Sequence, residues 1–118
     1  MANEVKFKIE IARGDSYEKG FVFQRGTSPV TEVFDDVYFT VKKYYTDEDF
    51  VFQKRQSTGG ITRDNTPGHY TLFIDPEDTN GLPFGDYDAD FEFRKGNYKK
   101  TFYGKLKLAK EVTHQNNE

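Results

Sequence analysis

A row of acidic side chains is the feature of this sequence that most suggests a chemical site. Four carboxylates occur at alternate positions along one segment: Asp86, Asp88, Asp90 and Glu92. In a β-strand all four would lie on one face. A calcium site requires about six to eight oxygens that converge from a curved loop, whereas same-face residues of a straight strand are separated by about twice the 3.3 Å rise. We therefore expect no metal here, and we expect lysines on a neighbouring strand to balance the charge.

Other polar combinations also lack the parts that catalysis requires. Paired carboxylates can hydrolyse glycosides, but with 20 acidic residues among 118 some pair would meet that spacing by chance. The segment from Asp75 to Asp78 resembles a capped helical turn. His69 and His114 have neither an evident nucleophile nor a second histidine near them in the sequence. No glycine-rich phosphate loop occurs. The sequence therefore predicts no enzyme activity and no cofactor.

An Arg-Gly-Asp tripeptide lies near the start of the chain. Arg13, Gly14 and Asp15 match the sequence that integrin ligands present on exposed loops. Three specified residues are a weak motif, and Gly-Asp is ordinary turn chemistry between strands. We expect these residues to form a turn.

Composition and charge indicate a small β-domain. The twelve Phe and eight Tyr outnumber all Leu, Ile and Val together, which favours half-buried strands over helices. A net charge of −3 argues against a general nucleic-acid binder. Cysteine is absent, which excludes disulfides and thiolate sites. No apolar run is long enough for a membrane span, and the charged first ten residues carry no secretory signal. We expect one domain over 1–113 and a polar tail at 114–118.

Alternation of apolar and polar residues predicts about seven antiparallel strands, which suits an all-β sandwich of two sheets. The predicted strands lie near 5–11, 17–25, 37–42, 50–54, 70–74, 87–94 and 99–108. A residue pair near Ile61 is expected to bridge, and Pro76 to Thr79 to form one helical turn. Phe21 and Phe23 are placed inward. Tyr87 enters its strand as a tyrosine corner does.

The last two strands have a register that their charges support. A hairpin loop at 95–98 places Ala89 opposite Gly104 and Phe91 opposite Phe102 on the buried face. On the outer face the same register pairs aspartates with lysines: Asp86 with Lys107 and Asp88 with Lys105. Such cross-strand pairs stabilise by about 0.2–1 kcal/mol each.

Tyrosines at outward or loop positions are the candidate interaction residues. Exposed tyrosines mark interfaces, because they supply rigid contact area with a polar tip. Five positions qualify in the predicted register: Tyr38, Tyr44, Tyr45, Tyr98 and Tyr103. These side chains could also line a carbohydrate or peptide surface, or cover a sheet edge. We favour a protein interface.

Several short segments, taken in order, resemble small structural proteins of phages and prophages of low-GC Gram-positive bacteria. The chain is similar in particular to the N-terminal domain of baseplate upper proteins. The segments are 37–43, 52–54, 60–61, 69–93 and 104–113. The family's turn after the first strand corresponds to Arg13, Gly14 and Asp15. Its signature segment corresponds to Pro76–Thr79, Leu82, Gly85, Tyr87 and Asp90. The resemblance runs from about Phe7 to Thr113.

The resemblance implies an immunoglobulin-like sandwich that docks into a tail or baseplate. The expected function is that of a non-enzymatic virion protein, assembled in the bacterial cytoplasm. Its partners would be other virion proteins and further copies of itself, with no nucleic acid and no membrane. Longer baseplate proteins carry a stalk and a receptor-binding tip, and because this chain stops at Glu118 a tail accessory or adaptor is expected. A head–tail connector, a carbohydrate- or cell-surface-binding adhesin module and, less favoured, a hydrolase remain alternatives.

Overall fold

The computed structural model describes residues 5–110, and most of that range is β-strand. The polar tail expected at 114–118, which includes His114, lies outside the described residues. A 3₁₀ helix spans Gln56–Thr58, and the predicted helical turn, α1, spans Pro76–Thr79. The strands are β1 (Val5–Ala12), β2 (Tyr17–Val22), β3 (Gln24–Arg25), β4 (Ser28–Pro29), β5 (Asp36–Lys42), β6 (Phe52–Arg55), β7 (Ile61–Arg63), β8 (His69–Ile74), β9 (Gly85–Lys95) and β10 (Tyr98–Ala109).

Two sheets pack as a sandwich, which confirms the predicted all-β fold. The larger sheet has the order β1-β10-β9-β5-β6, and the smaller has the order β2-β8-β7. The strands β3 and β4 form a separate hairpin. Strand β1 pairs with β10 in parallel, although antiparallel strands were predicted. These two strands are far apart in the chain, so no hairpin forces them to run in opposite directions.

The strand order is that of an immunoglobulin-like domain. Strands β2, β8 and β7 occupy the places of strands B, E and D, and β5, β9 and β10 those of C, F and G. In constant-type immunoglobulin domains the first strand lies beside strand B. Here β1 lies beside β10 instead, and no strand within residues 5–110 occupies the outer side of β2. The Tyr87 hydroxyl donates a 2.6 Å hydrogen bond to the Pro83 carbonyl, as predicted for a tyrosine corner.

The predicted strand bounds agree with the structure to within two residues, except at the end of β2, and two of the differences change which residues are in strands near the candidate surface. Strand β2 ends at Val22 instead of residue 25. The Phe23 N–H donates a 2.8 Å hydrogen bond to the Gly68 carbonyl, and the Phe23 carbonyl accepts a 2.8 Å bond from the Val30 N–H. The chain then forms the β3–β4 hairpin. Strand β6 begins at Phe52 instead of residue 50, so the two residues before it belong to the preceding loop.

The register of β9 and β10 is as predicted. Ala89 faces Gly104 and Phe91 faces Phe102, while Asp86 and Asp88 face Lys107 and Lys105 on the outer side. The hairpin loop is shorter than expected, because Lys95 pairs with Tyr98. Only two residues then make the turn, and the first, Gly96, has a φ of +57°, which glycine adopts without strain.

Phenylalanine rings join the two sheets. The Phe21 ring, from the smaller sheet, lies 4.3 Å from the Phe91 ring of the larger sheet, centroid to centroid. Phe23 lies 4.2 Å from Phe93 in a stacked arrangement. Nine of the twelve phenylalanines belong to the core or pack against it: Phe7, Phe21, Phe23, Phe34, Phe39, Phe52, Phe91, Phe93 and Phe102.

One of these rings fills the space that a missing side chain leaves. Phe7 on β1 pairs with Gly104 on β10, and a Cβ built on that glycine would overlap the Phe7 ring. The same ring lies 5.0 Å from the Phe91 ring. Glycine at position 104 therefore allows β1 to place an aromatic side chain against the core.

We predict that Gly104→Ala lowers the free energy of unfolding by about 1–3 kcal/mol, because the methyl group displaces the Phe7 ring. Urea denaturation would measure the change. Gly81→Ala is the matched control, since nothing lies within 4 Å of a Cβ there. Equal stability of the two variants would contradict the close approach of Phe7.

Candidate interaction surface

Exposed apolar side chains gather at one end of the sandwich. This aromatic patch consists of Tyr44, Tyr45, Phe50, Val51 and Phe84, which are each between 36% and 60% exposed. The first four belong to the loop between β5 and β6, and Phe84 immediately precedes β9. Lys43 lies between the β5–β6 loop and the start of β9. Its Nζ is 5.9 Å from the centre of the Tyr44 ring in the loop and 4.9 Å from the centre of the Tyr87 ring in β9.

Backbone hydrogen bonds hold the β5–β6 loop in place. The Tyr45 N–H donates to an Asp88 carboxylate oxygen on β9 at 2.8 Å. The Tyr44 N–H donates to Asp47 at 3.1 Å, and the Lys42 ammonium donates to the Asp47 carbonyl at 2.6 Å. The loop is therefore ordered by its own polar groups while its rings remain exposed. The sequence predicted the two tyrosines but missed Phe50 and Val51, because the apolar run at 50–52 was assigned to the strand predicted at 50–54.

The Tyr45 side chain extends from this loop over the outer face of the larger sheet. Its ring lies 6.5 Å from the Tyr103 ring, with the planes at 71°. Tyr103 faces Asp90 across the β9–β10 pair, and Asp90 faces Thr40 on β5. Two of the predicted tyrosines thus meet beside one member of the acidic row.

Basic side chains neutralise two other members of the acidic row, and one of these pairs is the predicted one. Asp86 faces Lys107 as predicted, but the two side chains form no ion pair within residues 5–110. Asp88 forms an ion pair with Lys105. Glu92 pairs with Arg94 at 2.8 Å and with Lys99 at 3.3 Å. No group of three or more potential ligands within residues 5–110 is arranged to hold a metal ion.

Asp90 differs from Asp88 and Glu92, because its carboxylate makes no hydrogen bond or ion pair with any residue in the described part of the chain. Burial, and then the negative charge of Glu92, raise the pKa of Asp90 to about 6. Lys42 and Lys99 act in the opposite direction, but their effect is smaller. The centre of this face therefore carries a carboxyl group with unused acceptor capacity.

The other two predicted tyrosines lie apart from the aromatic patch. The Tyr38 ring contacts two guanidinium groups: the Arg55 Cζ lies 4.6 Å from its centre and the Arg94 Cζ lies 4.7 Å from it. The Tyr38 hydroxyl accepts a hydrogen bond from Arg55. Tyr98 is in the β9–β10 hairpin at the opposite end, where it stacks on Phe34. The structure therefore brings together Tyr44, Tyr45 and Tyr103, but not all five.

The Arg-Gly-Asp turn packs against the connection between β8 and β9. The Arg13 guanidinium lies 4.1 Å from the centre of the Phe84 ring and donates to the Leu82 carbonyl at 3.2 Å. The Gly14 N–H donates to the Thr79 hydroxyl at 2.9 Å. This packing gives the tripeptide a structural role and places Arg13 beside the aromatic patch.

Comparisons with known proteins identify the fold alone. No protein-family model and no curated protein matches the chain. Among solved structures it is similar to the endo-beta-1,4-mannanase from Thermotoga petrophila, with a TM-score of 0.55 and 17% sequence identity. The match covers 90% of this chain and 18% of that enzyme. The chain therefore spans less than a fifth of the length of this structural neighbour. No helix in residues 5–110 is long and apolar enough to cross a membrane.

The raised pKa of Asp90 has a consequence for stability. In the unfolded chain an aspartate has a pKa of about 3.9, so between about pH 4 and pH 6 the folded state binds more protons and stability falls as the pH rises. We predict that Asp90→Asn stabilises the fold by roughly 1 kcal/mol above about pH 6, a value reduced for partial solvent screening. The gain should disappear below about pH 4. Asp86→Asn is the control on the same face, and a pH-independent effect of Asp90→Asn in thermal unfolding would contradict the prediction.

Proposed function

We propose that this chain is a non-enzymatic structural component of a phage or prophage particle that acts through protein–protein contacts in the tail or baseplate. The aromatic patch is the observation that carries the proposal. The resemblance of the sequence to baseplate upper proteins supplies the virion context. The proposed partners are other virion proteins and further copies of this chain, and no catalytic residue or cofactor is assigned.

The composition of the patch suits a protein partner. Interface cores are enriched in aromatic side chains and are surrounded by polar groups that exclude water. Phe50 and Val51 supply apolar area without a polar tip, while Tyr44 and Tyr45 add hydroxyl groups. The same loop also contains charged residues close to these side chains in the sequence, namely Lys43, Asp47, Glu48 and Asp49.

The loop that carries the patch is also held in place before any partner arrives. Its bonds from Tyr45 to Asp88 and from Lys42 to Asp47 connect it to strands of the larger sheet. A surface that is already ordered loses less conformational entropy on binding than a free loop does. An ordered aromatic surface of this kind supports a role in binding other proteins of an assembly.

Mass spectrometry of density-banded particles from the bacterium that encodes the chain tests the proposal. We expect its peptides in stoichiometric amounts. A Tyr44→Ser, Phe50→Ser double variant should fold but show reduced incorporation, because both side chains are exposed and contribute contact area. Val33→Ser is the control, since Val33 is 61% exposed but lies outside the patch. Absence of the chain from intact particles would contradict the virion role.

One observation favours a second candidate function, that of a carbohydrate-binding module. Aromatic rings can stack on sugar rings, and carboxylates accept bonds from hydroxyl groups. Tyr45 and Tyr103 lie 6.5 Å apart beside the unpaired Asp90, which combines both kinds of group on an open sheet face.

A glycan array separates this candidate from the first. Under the carbohydrate hypothesis a glycan should bind, and Tyr103→Ala should weaken that binding measurably, because the change removes one of the two rings on which the sugar would stack. Tyr98→Ala, at the opposite end, should have little effect. Failure of all glycans to bind would remove this candidate.

A further inference from the structure

The outer side of β2 is an exposed strand edge of the smaller sheet. Strand β7 has three residues and β6 has four, which gives each a short edge. Strand β1 is the edge of the larger sheet on this side, and its register is regular from Phe7 to Ala12 after an irregularity at Val5. Strand β2 runs for six residues, pairs only with β8 among the described strands, and exposes Glu18, Lys19 and Gly20. This edge is also where the first strand of a constant-type immunoglobulin domain would pair.

An apolar groove lies beside this edge, between β1 and β2. A cavity of about 550 Å³ opens there, and a hollow of about 170 Å³ continues it. Both are lined by Phe7, Phe21 and Phe91, which we use to define the β1–β2 groove. Within residues 5–110 no strand closes the two sheets along this side.

The charged side chains among the described residues that line the groove are all lysines, namely Lys6, Lys8 and Lys19. Lys19 faces Leu72, whose side chain is buried, so this lysine occupies a position on the inner face of an edge strand. An inward-facing charge on an edge strand discourages pairing with purely apolar strands. The Lys19 charge also favours a strand that places a carboxylate opposite Lys19.

We propose that the outer edge of β2, with which no strand in residues 5–110 pairs, accepts an extended segment of a partner protein whose inward residues are apolar, except for one acidic residue opposite Lys19. The segment would add a fourth strand to the smaller sheet by backbone hydrogen bonds. Its apolar side chains would cover Phe7 and Phe21, and its carboxylate would pair with Lys19. The identity of the partner as a virion protein rests on the proposed function, whereas the groove and its charge preference do not.

A synthetic peptide tests the site without the natural partner. The probe is acetylated Thr-Val-Thr-Glu-Thr-Phe-Thr-Val, in which Val, Glu, Phe and Val share one face. Titrated into the full ¹⁵N-labelled chain, it should shift the amide signals of β2 and of Phe7. It should also protect from hydrogen exchange those β2 amides that point away from β8. Replacement of its Glu by Lys should weaken binding about fivefold.

A charge swap gives the decisive control. Lys19→Glu should reverse the preference, so that the Lys-containing peptide binds more tightly than the Glu-containing one. Lys110→Glu makes the same charge change away from the groove and should leave the preference unchanged. Equal binding of both peptides, shifts that avoid β2, or no binding at millimolar peptide would each overturn the proposal. None of these outcomes bears on whether the chain is part of a virion, which mass spectrometry of the particles tests. The two proposals can therefore fail independently of each other.

Discussion

Contact between phenylalanine rings of opposite sheets is the interaction on which the rest of this structure depends. Phe21 and Phe23 come from the β2 side and meet Phe91 and Phe93 on β9 at 4.2–4.3 Å between centroids. Large rings bury much apolar area per residue, which lets a chain with only 35% hydrophobic residues form a core. The rings also require empty space beside them, and Gly104 supplies it for Phe7. The same rings line the β1–β2 groove, along which no strand in the described part of the chain closes the sandwich.

Strand β9 performs two tasks because its side chains alternate. Its inner residues, from Tyr87 to Phe93, form the centre of the core and the tyrosine corner. Its outer residues organise the surface: Asp88 holds the Tyr45 amide and Lys105, while Glu92 holds Arg94 and Lys99. Asp88 therefore neutralises Lys105 on the neighbouring strand and also holds the β5–β6 loop, which carries most of the aromatic patch. A change on the outer face of β9 would alter the proposed docking surface without entering the core.

The two proposed contact regions differ in how they are constructed. The aromatic patch is formed by loops whose backbones are bonded to the sheet, and it presents side chains to a partner. The β2 edge presents backbone groups beside an apolar groove, with Lys19 to discriminate among strands. A domain with both could bind one neighbour through side chains and another through strand addition, which suits a component placed between other proteins of an assembly.

The sequence by itself determined the sandwich, the hairpin register and the turn at Pro76, because alternation and turn residues act locally and leave a direct pattern. It also identified Tyr44, Tyr45 and Tyr103 as outward residues. Only the tertiary structure decided that β1 lies parallel to β10, since that pairing joins distant segments and depends on the Phe7–Gly104 contact. The fold likewise decided the grouping of Phe50 and Phe84 with the tyrosines and the partial burial of Asp90. It also decided that no strand within residues 5–110 covers the outer edge of β2. Each depends on which loops and strands meet in space, and residue spacing along one segment carries no information about that.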